Sequence, residues 1–316
     1  DKLGELIVVP QTVEEVMQVA AAVARHKVPL TLRGGGTANY GQCVPLEGGI
    51  VMDLTRLDRV IEITDGHVRV EAGARISRLG HAPHETGQER VIFPPTRQMA
   101  TIGGFVAGGS GGIGSLRHGM LRDPGNLTYA KVVTVEPEPQ VIELFGEDVQ
   151  KVQHAYGTNG IVVELGVGLT RATDWIHTAA LFDGYDAALR FASLAQEKGL
   201  DCYLLTTVER RFAPFYNKLG DLFPADRDAV FAMVAPDEMA RFTAEAEAHG
   251  GRISFAMSKP EIRAAGLQPA YECGWNHTTL QALKVDKSWT YLQVAYPRPF
   301  DPELVLRQMA RYGEEI

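Results

Sequence analysis

The chain has 316 residues, of which 45% are hydrophobic and 22% charged, and a formal net charge of −8 at pH 7. A single core stops growing at about 250–300 residues, so two domains are expected, and the composition excludes a disordered chain. The acidic balance argues against nucleic acid or an anionic membrane as main partner, and no apolar run reaches the ~20 residues that would insert into a bilayer.

In chain order, Ile7 to Pro10 reads as a short strand. Thr12 to Glu15 is a capping box, with Thr12 as N-cap and Glu15 reaching back. Val13, Val16, Ala20 and Val23 then form one apolar helical stripe through about Arg25, and Val28 to Leu32 is the next strand. This βαβ unit runs straight into the loop Arg33-Gly34-Gly35-Gly36-Thr37-Ala38-Asn39-Tyr40, at the carboxyl end of a strand, where α/β units hold ligands. Glycines there free the backbone N–H groups, and Arg33 and Thr37 add a charge and a hydroxyl. Gly49 to Asp53 is a strand, and Val60 to Ile63 with Val68 to Glu71 reads as a hairpin closed by a primed Asp65-Gly66 turn. Lys131 to Val135 and Val141 to Leu144 form a second hairpin-like pair, and Ile161 to Gly168 is the last strand of this half.

The stretch from Pro94 to Ser115 organises the reading. Seven of the twelve positions from Gly103 to Gly114 are glycine, which would weaken any regular element and so points to close approach of a ligand to bare backbone. Two local patterns are misleading. Gly108 to Gly112 fits G-x-S-x-G, but a nucleophile elbow needs a strand before Ser110, and Thr101 to Ala107 is too broken by glycine to be one. Gly109 to Gly114 fits G-x-G-x-x-G, but Ser115 to Gly119 stops the helix that a Rossmann fingerprint must open.

Four segments, RGGGTANYGQ, VEAGARISRL, PPTRQMATIGGFVAGGSGGIGS and YGTNGIVVEL, resemble in order and spacing the FAD-binding domain of the vanillyl-alcohol oxidase / p-cresol methylhydroxylase (PCMH-type) family, over about residues 5 to 170. The resemblance implies an α+β fold: a PCMH-type FAD-binding domain of two α+β subdomains, binding FAD without a Rossmann unit. It implies that Gly34, Gly35, Gly36 and Thr37 hold the pyrophosphate, helped by Asn39 and Tyr40, beside the charge that the loop itself offers at Arg33. It implies that Pro95, Thr96, Thr101, Ile102 and Gly104 contact the diphosphate and flavin. It further implies that Gly111, Ile113 and Gly114 run past the isoalloxazine, and that the Ile161 backbone meets the cofactor. Relatives that tether flavin from the first loop carry histidine where Thr37 stands, and no cysteine lies between Pro94 and Ser115, so the FAD is expected to be non-covalent.

From about Arg171 the rhythm changes. Strands over Trp175 to Leu181, Cys202 to Val208, Ala229 to Ala235 and Arg252 to Phe255 alternate with helices over Tyr185 to Lys198 and Pro236 to His249. Two successive β-α-β units predict a ferredoxin-like α+β sheet with helices on one face, resembling the family's substrate cap. The expected domains are therefore 1–170 and 171–316. Thr290 to Tyr296 and Pro302 to Arg311 start a third unit whose closing strand is missing, so the expectation is a truncated cap, or one completed by a partner subunit or a second copy. Tyr271 to Thr279, outside strong helix or strand patterns, carries Trp275, Asn276 and His277; His277 and Asn276 are the candidate catalytic pair, with His277 as base. His118, beside the glycine run, is a second candidate. Cys43, Cys202 and Cys273 lie too far apart for a metal site or a disulfide framework. Without an export signal, a cytoplasmic location is expected. The expected activity is FAD-dependent oxidation of a small alcohol, hydroxy acid or phenol by hydride transfer, with oxygen, a cytochrome or another flavoprotein taking the electrons. The alternative is a non-catalytic FAD-binding subunit of a larger electron-transfer complex.

Overall fold

A computed structural model describes residues 2–38, 40–80, 82–274, 277–290, 294–296 and 299–313, with the side chain of residue 82 excepted. The chain divides into two compact units, residues 1–172 and 173–316.

The first unit opens with strand β1 (Leu6–Val8), helix α1 (Val13–His26) and strands β2 (Leu30–Arg33) and β3 (Ile50–Asp53). Thr12 caps α1 by accepting the Glu15 N–H, as expected; Glu15 itself reaches one residue further back and accepts from the Gln11 N–H at 2.6 Å. β1 and β2 do not pair. Both run parallel to β3, which lies between them, with Leu6 and Leu30 facing Ile50. The second sheet is antiparallel, in the order β4 (Val60–Thr64), β5 (His67–Glu71), β9 (Ile161–Arg171), β7 (Leu127–Val133) and β8 (Val141–Phe145), with β6 (Gln88–Arg90) on the far end of β9. Val16 and Ala20 of α1 pack with Met52, Leu57, Val133, Ile161 and Val163, so the helix is held by residues from both sheets.

Between β5 and β7 lie three short helices, α2 (Ala82–Glu85), α3 (Ile102–Gly108) and α4 (Ser115–His118). The β4–β5 turn is not primed. Thr64 faces His67, only Gly66 takes positive φ (78°), and Asp65 does not. Bonds from outside the hairpin fix it instead: Gly66 N–H donates to Gln88 Oε1 at 2.7 Å, and its carbonyl accepts from Leu169 N–H at 2.8 Å.

The second unit contains β10 (Ile176–Phe182), α5 (Tyr185–Glu197), β11 (Cys202–Val208), β12 (Asp228–Val234), α6 (Met239–Ala248) and β13 (Arg252–Met257). The sheet is antiparallel in the order β11-β12-β10-β13, which is the ferredoxin-like arrangement of two interleaved β-α-β units. Phe182 of β10, Phe191 of α5 and Phe242 of α6 meet in series, each pair of rings 5.3 Å apart, the first tilted and the second edge to face, placing both helices on one face. Strand alternation puts Phe231 on the other, where it meets Phe223 and Tyr216. Three helices follow, α7 (Lys259–Ala264), α8 (His277–Val285) and α9 (Pro302–Tyr312). Of the expected strand from Thr290 to Tyr296, residues 291–293 lie outside the described residues, and Thr290, Val294, Ala295 and Tyr296 are not in a strand. Among the described residues no helix is long and apolar enough to cross a membrane.

Candidate functional site

The first, second and fourth sequence motifs converge on α3, the core of the third. Where Thr101 to Ala107 offers no strand, its glycines are read out as a short helix. Thr101, 1% exposed, is its N-cap and accepts from the Gly104 N–H at 3.2 Å. The segment after β5 lies alongside: Ala72 O accepts from Gly103 N–H at 2.7 Å and Ala74 O from Ile102 N–H at 2.9 Å. The first glycine loop abuts the residues just before α3. A Cβ on Gly35 would stand 2.1 Å from Met99 O, and one on Gly34 2.2 Å from Thr101 Oγ1. The fourth motif's loop closes the other end of α3, with His154 N–H on Val106 O (2.9 Å), Tyr156 N–H on Ala107 O (2.8 Å) and Gln153 Nε2 on Gly109 O (2.9 Å).

This packing gives the glycines two jobs. Gly34, Gly35, Gly103, Gly109 and Gly112 are glycine because protein atoms occupy the space of a Cβ, each within 2.7 Å. Gly104 and Gly108 are different. Both are exposed, and a Cβ would meet only Thr101 Oγ1 at 3.1 Å or Tyr156 Cδ1 at 4.0 Å. They leave a bare strip along α3. Beside it, Gly36 takes φ +66° with the Arg33 guanidinium folded over it. Among the described residues no group accepts from the N–H of Gly34, Gly35, Gly36 or Thr37. Consecutive unspent amides beside a guanidinium form an anion cradle.

The second glycine run is tied to Phe93. Ile113 N–H and O exchange hydrogen bonds with Phe93 O and N–H at 2.8 and 3.0 Å, and the Ile113 side chain is fully buried. Gly112 N–H donates to Ser115 Oγ at 3.0 Å, while Gly114 takes φ +100°. Ser110 follows a helix, and α4 is a single turn, so neither an elbow nor a Rossmann helix is present. Thr96 accepts from Met99 and Ala100, shaping the turn that carries Pro95 beside the first loop's support. Tyr40 is 63% exposed, and Asn39 lies outside the described residues.

A family profile for the FAD binding domain matches residues 4–144. The first unit is an FAD-binding domain. Its chain is 28% identical to D-lactate dehydrogenase of Anaerostipes hadrus over 176 residues, 51% of this chain and 35% of that protein. It is 26% identical to the glycolate oxidase subunit GlcD of Bacillus subtilis over 201 residues, 60% of this chain and 42% of that protein. The chain thus spans less than half the length of these relatives. A solved structure of alkyldihydroxyacetonephosphate synthase shares the fold with a TM-score of 0.68 at 16% identity, over 84% of this chain and 57% of that one. The residues of the FAD-binding domain fit the cofactor's chemistry: the open amides of Gly34 to Thr37 and Arg33 suit a diphosphate, and the strip at Gly104 and Gly108 suits something pressed flat against backbone.

In the second unit, Tyr271 to Thr279 is not a loop throughout. Ala270–Cys273 is a 3-10 turn and His277 begins α8, whose Thr278 and Thr279 mask the helical pattern in sequence. Asn276 and Trp275 lie outside the described residues. Burial, with Lys284 second, lowers the His277 pKa below its ordinary value, so the imidazole is neutral at pH 7. Its Nδ1 is buried and meets no hydrogen-bond partner among the described residues. Tyr216 Oη donates to Thr278 Oγ1 at 2.7 Å, and Thr278 Oγ1 donates to Cys273 O at 2.9 Å, fixing the first turn of α8. His177 is buried, with Nδ1 accepting from Ala270 N–H at 3.2 Å.

Proposed function

We propose that the protein is an FAD-dependent oxidoreductase that oxidises a small 2-hydroxy acid at its hydroxyl-bearing carbon. The observation that carries this reading is the set of unspent amides from Gly34 to Thr37, with Gly34 and Gly35 packed against Thr101 and Met99. The names of the relatives, D-lactate dehydrogenase and glycolate oxidase subunit, favour a hydroxy acid over an alcohol or a phenol. Bound FAD supplies a two-electron acceptor for the substrate's hydride. The chain's own residues bind and orient. Gly34, Gly35, Gly36 and Thr37 hold the diphosphate with Arg33. Pro95, Thr96, Thr101, Ile102 and Gly104 shape the surface beside it, and Gly111, Ile113, Gly114 and Ile161 give backbone walls. Neutral His277 takes the hydroxyl proton, with Asn276 its neighbour in sequence. Thr37 cannot form the flavin bond that a histidine there would make, so the cofactor is held without a covalent link.

The test is anaerobic mixing of the FAD-loaded protein with glycolate, each lactate enantiomer, a benzylic alcohol and a cresol. Rapid bleaching of the visible flavin band by a hydroxy acid is expected, slowed about 10²–10⁴-fold in His277→Gln. A yellow protein that no substrate bleaches favours the second reading, an FAD-binding subunit of a larger electron-transfer complex, which the word "subunit" in the GlcD name supports. Oxygen, a cytochrome or a flavoprotein then receives the electrons, and adding each in turn to the bleached protein identifies it.

A further inference from the structure

His154 and Tyr156 both take positive φ, 53° and 54°; among the described non-glycine residues only Lys27, at a helix C-cap, shares this. Bulky L-residues avoid that region, so the loop must be held there by its surroundings. The restraints are the three bonds to the C-terminal end of α3 and a clasp between the two side chains. Tyr156 Oη and His154 Nε2 are 2.8 Å apart, and the rings meet edge to face at 5.1 Å. Gly157 fits against β2, where a Cβ would stand 2.8 Å from Leu32 Cδ1. A glycine at 156 would satisfy the backbone without strain. Yet a tyrosine stands there, 44% exposed, with its ring beside bare Gly108.

We propose that the Tyr156 ring is the platform on which the purine of the dinucleotide stacks. The proposal rests on the reading that the first unit binds FAD, and fixes the cofactor's direction along α3. The diphosphate lies at the N-terminal end, beside Gly34 to Thr37, and the adenosine at the C-terminal end. The seven residues of α3 span roughly 10 Å at 1.5 Å each, about the reach of a nucleoside. An aromatic face accepts a base by stacking, and immobilising the ring beforehand removes the cost of ordering it.

Calorimetric titrations with FAD, ADP and FMN test this on the wild-type chain, Tyr156→Phe, Tyr156→Ala and Tyr156→Gly. Tyr156→Ala is expected to weaken FAD and ADP about tenfold or more and leave FMN unchanged, since FMN has no purine. Tyr156→Phe keeps the ring and should stay near wild type. Equal losses for FMN and FAD, unchanged FAD and ADP affinity in Tyr156→Ala, or wild-type FAD affinity in Tyr156→Gly would each overturn the proposal. A wild-type chain that binds neither flavin defeats the FAD reading itself, and the ADP titrations then still decide whether the ring holds a purine.

Discussion

Gly35→Ala is the sharpest probe of the cradle. The new Cβ would sit 2.1 Å from Met99 O and 2.9 Å from Met99 C, against the 3.4 Å where ordinary contact begins. The loop must therefore retreat by about 3.4 − 2.1 = 1.3 Å, because the obstacle is backbone and cannot rotate aside. Overpacking of this kind costs about 1–3 kcal/mol, which in a unit this size lowers Tm by roughly 5 °C. The same retreat misaims the Gly34 to Thr37 amides. Losing one charge-assisted bond to a phosphate is worth about 1.5–3 kcal/mol, or roughly 10- to 150-fold in FAD affinity. Gly104→Ala is the paired control. Its Cβ meets only Thr101 Oγ1, at 3.1 Å, and alanine favours the helix, so stability should hold while FAD affinity falls about tenfold. Fluorescence titration with FAD and thermal melts of the apoprotein read both quantities. Gly35→Ala that melts early yet binds FAD as tightly as wild type would refute the assignment of this loop to the diphosphate.

Three further outcomes are expected. Acid precipitation of the holoprotein should leave all the flavin in the supernatant; yellow pellet would show a covalent link. In thiol titration, Cys202 and Cys273, both pushed up to about 12 by burial, should react only after denaturation, whereas half-buried Cys43 should react in the native state. Because the folded pKa of His277 is depressed, the unfolded chain binds that proton first. Stability from this group is full above about pH 6.5 and is lost as pH falls below it, so urea melts of His277→Gln should show a shallower decline there than wild type.

The elements of both units were legible where their periodicity was strong. Val16, Ala20 and Val23 announce α1, and the alternation of strands and helices from Trp175 onward announces the ferredoxin-like sheet. The four glycine-centred motifs also announced the cofactor. What sequence could not show is that they meet on one short helix, or that most of their glycines answer to neighbouring protein atoms. Gly35 and Met99 are distant in sequence, and their contact is tertiary. The strained pair His154 and Tyr156 carries no sequence signal, since its conformation is imposed by carbonyls of α3. Helix α8 was missed because its β-branched start reads as irregular.

The order β1-β3-β2 bears on biosynthesis. The middle strand is the last of the three to leave the ribosome, so β1, complete at Val8, and β2, complete at Arg33, both emerge with no mate and wait for β3 at Ile50–Asp53. Beyond it, β9 must still arrive before the larger sheet acquires its centre. Until those strands arrive the nascent chain offers unpaired edges, and chaperone demand should track how far translation has progressed toward residue 171.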